Sequence, residues 1–169
     1  MIVSLSGMMG CGKSSVGKVL AEKLGFTFID LDRYIEQERS ETIPAIFKKG
    51  GETLFRTYET EALKHILAEH SGRDLVLSLG GGTLTVEENR RLIVRDSICI
   101  YLKASSVEIG RRLALQGLER PMLKDRSIDG LLEEREAIYE KTACHTIVTD
   151  GLSIEESAAK AAAFVIPRL

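Results

Sequence analysis

Short apolar runs alternate with longer amphipathic stretches along this chain. Five runs read as strands: Ile2–Ser6, Phe26–Asp30, Leu75–Leu79, Ser97–Leu102 and Thr146–Thr149. They are near-continuous in apolar residues, as expected for parallel strands covered on both faces. Helical spacing marks the segments between them. Lys13–Leu24 and the short Arg33–Glu38 follow the first two runs. Glu52–Glu69 carries Leu54, Tyr58, Ala62, Ile66 and Leu67, and Ser105–Leu115 carries Val107, Ile109 and Leu113 behind the cap candidates Ser105 and Ser106. Ile128–Thr142 and Ile154–Val165 complete the set, the latter behind Ser153 with Glu156 at capping-box spacing. This alternation predicts an α/β fold, a three-layer doubly wound sandwich around a five-stranded parallel sheet. Ligands of such sheets bind beyond the carboxyl ends of the strands, which makes those ends the place to look for chemistry.

The first strand end carries the strongest motif. Residues 7–14 read GMMGCGKS, the phosphate-binding pattern G-x-x-x-x-G-K-[ST] between a strand and a helix. Its glycines allow positive φ and close approach of the backbone to an anion. The amides at the helix start then face the phosphates. Lys13 is placed to reach the β- and γ-phosphates and Ser14 to ligate Mg²⁺. Gly10, Cys11, Gly12, Lys13, Ser14 and Ser15 are therefore the candidate ATP contacts. A glycine turn that merely joins a strand to a helix explains the glycines but not Lys-Ser at this spacing. Cys11 reads as a small filler inside the loop.

Further segments fall at the same edge or on helices facing it. Asp30 and Asp32 end the second strand; at i, i+2 they point the same way on a strand, where a carboxylate can hold Mg²⁺ through water or accept a hydroxyl proton. The competing reading makes Asp32 the cap of Arg33–Glu38. Arg56 and Glu59 are i, i+3 neighbours, so Glu59 can orient a guanidinium for a carboxylate, though an ordinary surface ion pair has the same spacing. The third strand runs into Gly80-Gly81-Gly82, which removes every side chain from that edge and opens the backbone to a ligand. The third strand lacks a terminal Asp, and Asp30 is the natural magnesium partner in its place. Gln116–Asp125, with Gly117, Pro121, Arg120 and Lys124, reads as a mobile lid that brings a cation over the phosphates. Arg135, with Tyr139 at i+4, lies on the helix leaving it. His65, His70 and His145 have no ligand spacing and receive no chemistry.

Composition narrows the class. At 169 residues the chain suits one domain spanning 1–169. Its formal net charge of −2 gives no reason to expect nucleic acid or a membrane surface as partner. Cys11, Cys99 and Cys144 are too few and too scattered for a metal site or disulfide framework, and three unpaired thiols fit a reducing cytosol. No apolar run approaches the roughly 18 residues of a membrane span. The chain starts on its first strand, so no leader is expected, and the expected location is cytoplasmic.

Taken as an ordered set, these residues resemble the shikimate kinase family. The resemblance rests on GMMGCGKSS at 7–15, DLD at 30–32, GETLFRTYE at 51–59, LGGGT at 79–83, ERPML at 119–123 and REAIYEK at 135–141. It covers the chain from Met1 to about Asp150. The resemblance implies a P-loop NTPase-like sheet of order 2-3-1-4-5, acceptor-binding helices over about 31–69 and a closing lid over about 115–126. It implies transfer of the ATP γ-phosphoryl group to the 3-hydroxyl of shikimate, with bound Mg²⁺. By position, Asp32 is the base candidate and acceptor contact, and Asp30 supports magnesium beside Ser14. Arg56 and Arg135 clamp the shikimate carboxylate. Gly80, Gly81 and Gly82 line the acceptor, with Gly81 touching it through its backbone. Lys13 and Arg120 stabilise the phosphoryl group in flight. Family members often carry a cation after the last strand, near the adenine; here Thr149–Ser153 has none, which leaves Arg112 or Arg111 for that side. The implied partners are two small molecules, ATP and shikimate; a monomer is expected, since the sequence shows no obvious exposed apolar stripe. A gluconate kinase would share the loop and lid, and a regulatory nucleotide-binding module would be expected to lose Asp32, Arg56 and Arg135.

Overall fold

Ile2–Ser6 forms β1, buried at all five positions, at the centre of a five-stranded sheet. The computed structural model describes residues 1–117, 121–123 and 126–169. The strands are β1, β2 (Thr27–Asp30), β3 (Leu75–Ser78), β4 (Ile98–Lys103) and β5 (His145–Val148). Every pairing is parallel and the order is β2-β3-β1-β4-β5. The register Leu5↔Ser78 and Ser6↔Tyr101 brings the carboxyl ends of the three inner strands level. The sheet order switches direction at β1, so the loop after β1 opens at the crevice where such folds bind ligands.

Helices cover the sheet. On one side α1 (Lys13–Leu24) packs against α7 (Ile154–Val165), whose start carries the full Ser153–Glu156 capping box. Against β4 pack α4 (Glu87–Asp96) and α6 (Ile128–Thr142). Helix α5 (Ser106–Gln116) is capped by Ser105, which accepts from Glu108 N–H.

Two stretches were not legible as helix. In α4, Asn89 and Ile93 are the buried residues and no side chain caps the start, so a polar, short-period surface helix leaves almost no apolar signal. The other is the first part of α3 (Ile43–Glu69), which follows α2 (Leu31–Arg39). Thr42 caps α3, and Gly51 breaks it with φ 67° and ψ −166°. The helix is thus two arms meeting at a glycine, and Glu52–Glu69 is the second of them. Residues of α2 and α3, among them Glu36, Phe47 and Phe55, wall the cleft.

Candidate active site

The phosphate-binding loop is shaped by close packing. At Gly7, φ is 141° and an added Cβ would sit 2.5 Å from Leu102 O, so no larger residue fits beside β4. Gly12 starts α1 in a left-handed conformation with no side-chain cap, which leaves the first-turn N–H groups open toward the crevice. Lys13 is 8% exposed. Its ammonium donates to Gly7 O and Met8 O at 2.9 Å each and touches Cys11 Sγ at 3.7 Å. The charge therefore sits at the centre of the loop. Cys11 is fully buried, in keeping with the filler reading. Ser14 and Ser15 are exposed on the first turn of α1, and Gly10 packs over Leu113 of α5.

Arg112 and Arg111 part company. Arg112 is half-buried and spans the crevice edge: it donates to Cys11 O at 2.9 Å and to Thr149 Oγ1 and O at 3.2 Å. Arg111 is exposed and, among the described residues, pairs with Glu108. Of the two, Arg112 joins the phosphate loop to the segment after β5.

The two aspartates divide differently from the strand-end expectation. Asp30 closes β2 and is itself the cap of α2, accepting from Arg33 N–H at 3.2 Å through Oδ1. Its Oδ2 accepts a hydrogen bond from Ser14 Oγ. Asp32 belongs to the first turn of α2, so it is neither the cap nor aligned with Asp30 by strand alternation. The helix turn brings it into the cleft instead. Asp32 Oδ1 is shielded from solvent and has no hydrogen-bond partner among the described residues. Burial, then Glu59, then Asp30 push its carboxyl up to about 7, while Lys13 and Arg56 pull the other way. A carboxylate that titrates near neutrality is suited to taking a proton from a hydroxyl.

Arg56 and Glu59 are not a surface pair. Glu59 is fully buried, held at 2.8 Å by Arg56 Nη1 and at 2.6 Å by Thr83 Oγ1. Burial disfavours the Arg56 charge, but Glu59 and Glu52 outweigh it and keep the guanidinium cationic. Thr83 was missed by sequence reasoning; its place directly after the glycine run was the available signal. The glycines are explained by what faces them. A Cβ on Gly82 would lie 2.0 Å from Arg56 Nη2, and one on Gly80 would lie 2.9 Å from both Asp32 Oδ1 and Glu59 Oε1. On Gly81 it would meet Met9 N at 3.1 Å and Arg135 Nη1 at 3.6 Å. The run exists so that two carboxylates and two arginines can crowd one backbone.

Arg135, on α6, is 2% exposed. Its Nε and Nη1 have no partner among the described residues, and Tyr139 stands at i+4 on the same helix. A buried arginine with unpaired N–H groups is costly unless an anion meets it. Ser14, Asp30, Asp32, Arg56, Gly80–Gly82 and Arg135 all line one cleft of about 1200 Å³. Lys13, Cys11 and Arg112 are not among the residues that line it. Met122, from the described part of the lid segment, also lines it; Arg120 and Lys124 lie outside the described residues.

No cluster of three or more His, Cys, Asp or Glu side chains is gathered as for a metal among the described residues. The Ser14–Asp30 pair nonetheless fits Mg²⁺, which takes hard oxygen ligands, binds through one or two protein groups plus phosphate oxygens, and keeps several waters.

The family model for shikimate kinase matches residues 9–165. A shikimate kinase of Thermus thermophilus is 42% identical over 159 residues, covering 91% of this chain and 84% of its own. That of Thermodesulfovibrio yellowstonii is 40% identical over 162 residues, covering 94% and 91%. The solved shikimate kinase of Acinetobacter baumannii in complex with shikimate superposes with a TM-score of 0.92 at 34% identity, over 99% of this chain and 93% of the other. A deoxyadenosine kinase from M. mycoides, at 14% identity and TM-score 0.66, shares the fold alone. With the phosphate loop, the buried arginines and the glycine run in place, these matches show that the chain belongs to the shikimate kinase family.

Proposed function

We propose that this chain transfers the γ-phosphoryl group of ATP to the 3-hydroxyl of shikimate, giving shikimate 3-phosphate and ADP, a step toward chorismate and the aromatic amino acids. One observation carries the acceptor side: Arg135 is buried with two nitrogens unpaired among the described residues, across the glycine run from Arg56. Two arginines placed away from the phosphate loop suit an acceptor that is itself an anion. Their attraction for its carboxylate holds the ring with one hydroxyl toward Asp32. Gly80–Gly82 let the ring lie against bare backbone.

Phosphoryl transfer asks mainly for alignment and charge neutralisation. Asp32 takes the proton as the hydroxyl oxygen bonds to the γ-phosphorus and the bond to the ADP oxygen breaks. Lys13 and the first-turn amides of α1 offset the negative charge on the phosphates, and Arg120 is assigned the same task from the lid. Ser14 and Asp30 would hold Mg²⁺, which would offset the negative charge of the phosphates. Arg112 is assigned to the nucleotide's base side. The protein is taken to act as a cytoplasmic monomer; no described helix is long and apolar enough to cross a membrane.

The test is turnover of ATP by the purified protein with shikimate and, separately, with gluconate. ADP release with shikimate and none above background with gluconate is expected; the reverse preference sinks the assignment. Two variants probe the acceptor side. Arg56→Lys keeps the charge but loses the planar fork, and arginine and lysine are not equivalent at such sites. Losing a charge-assisted hydrogen bond is worth about 1.5–3 kcal/mol, so the shikimate KM should rise roughly ten- to a hundredfold while the ATP KM stays put. Gly82→Ala should mimic it, because the new methyl occupies the place of Arg56 Nη2. Steady-state kinetics with each substrate varied in turn decide both; an unchanged shikimate KM in Gly82→Ala would show that Arg56 works from elsewhere.

A further inference from the structure

Two buried tyrosines pack ring to ring at a tilt, and their hydroxyls are treated differently. The rings of Tyr101 and Tyr139 lie 5.1 Å apart, and both residues are 1% exposed. The Tyr101 hydroxyl has no partner among the described residues. The Tyr139 hydroxyl has three neighbours. It donates to Gly81 O, approaches Met8 Sδ at 3.9 Å, and feels the charge of Arg135, one turn back on the same helix. One phenol thus touches the glycine run and the phosphate loop beside half of the arginine pair.

The geometry has directional consequences. Because a trans peptide points its C=O and the next N–H opposite ways, pinning Gly81 O fixes Gly82 N–H to face away from Tyr139. Gly82 lines the cleft. On the other side, an arginine side chain has many rotamers, and a rigid ring at i+4 on the same helix restricts that freedom before a ligand arrives. Nε and Nη1 are left unpaired among the described residues. The space admits no slack, since a Cβ on Gly81 would already press on Met9 N at 3.1 Å.

We propose that Tyr139 is a positioning residue for the acceptor: its hydroxyl holds the Gly81–Gly82 peptide, against which the Arg135 guanidinium lies, in the arrangement that receives the shikimate carboxylate and ring. This rests on the function proposed above. The hydroxyl touches no reacting atom, so its loss should appear in acceptor binding and not in chemistry.

Tyr139→Phe keeps the ring packed against Tyr101 and removes the oxygen alone. The shikimate KM is expected to rise about three- to tenfold, the usual worth of one hydrogen bond. The ATP KM and kcat should stay within about twofold, and the melting temperature within a few degrees. Tyr101→Phe removes a hydroxyl with no described partner and should leave every parameter at wild type. In a double-mutant cycle with Arg135→Lys, the combined KM increase should be smaller than the product of the two single increases, because both disturb one arrangement. An unchanged shikimate KM in Tyr139→Phe, a multiplicative cycle, or a common loss in kcat and both KM values with a collapsed melting temperature each overturns the positioning role. Wild-type protein that does not phosphorylate shikimate overturns the underlying function as well, and that result is visible before any variant is made.

Discussion

Asp32→Asn is expected to lower kcat by about 10²–10⁴, the range for removing a general base, with little change in the KM for ATP. The substitution keeps the shape and removes the charge. The structure adds a second, opposite consequence for stability. Burial raises the Asp32 carboxyl to about 7, above its ordinary value of 3.8. Between those two values the folded protein binds a proton that the unfolded chain has released, so stability falls as pH rises through this window. An asparagine does not titrate. In the absence of nucleotide, Asp32→Asn should therefore melt at a higher temperature than wild type at pH 8, and the gap should close as pH is lowered toward 4. A variant that is inactive and also destabilised at pH 8 would make Asp32 a structural anchor. A variant with weak ATP binding and normal kcat would assign it to the nucleotide.

Lys13→Ala should nearly abolish turnover, with kcat reduced by at least about 10²–10³, the cost of deleting one preorganised donor at a site of developing charge. The ammonium lies between Gly7 O and Met8 O, inside the curve of the loop that would wrap the phosphates. Removing it takes away a buried charge as well as two hydrogen bonds, and these changes oppose each other in stability. The protein should stay folded by circular dichroism while activity is lost. Near-normal kcat in a folded Lys13→Ala protein would mean that this loop is not the phosphate site.

The sheet was legible because each strand is a near-continuous apolar run set off by glycines or charges, and the phosphate loop because its residue types and spacing have few other uses. Residue identities alone did not reveal how charge is buried. The spacing of Arg56 and Glu59 is shared by countless surface pairs; what distinguishes this one is Thr83, brought up from 24 residues away to hold the other carboxylate oxygen. The two aspartates were correctly gathered at one edge, but a helix turn places Asp32 there, and Asp30 is the cap. The choice between Arg111 and Arg112 was open in sequence because adjacent helical positions differ by about 100° in direction, which only packing against Cys11 and Thr149 resolves. Helix α4 was invisible because it contributes one buried apolar side chain, Ile93.

The claim at the centre is that buried arginines read the carboxylate of the acceptor. The most direct measurement is the ratio of kcat/KM for shikimate to that for its neutral carboxamide, at fixed saturating ATP. Losing charge-assisted contacts to Arg56 and Arg135 predicts a ratio of about 10² or more in the wild-type protein, falling by about tenfold or more in Arg56→Lys. Equal rates on the acid and the amide, or the same ratio in both proteins, would contradict it.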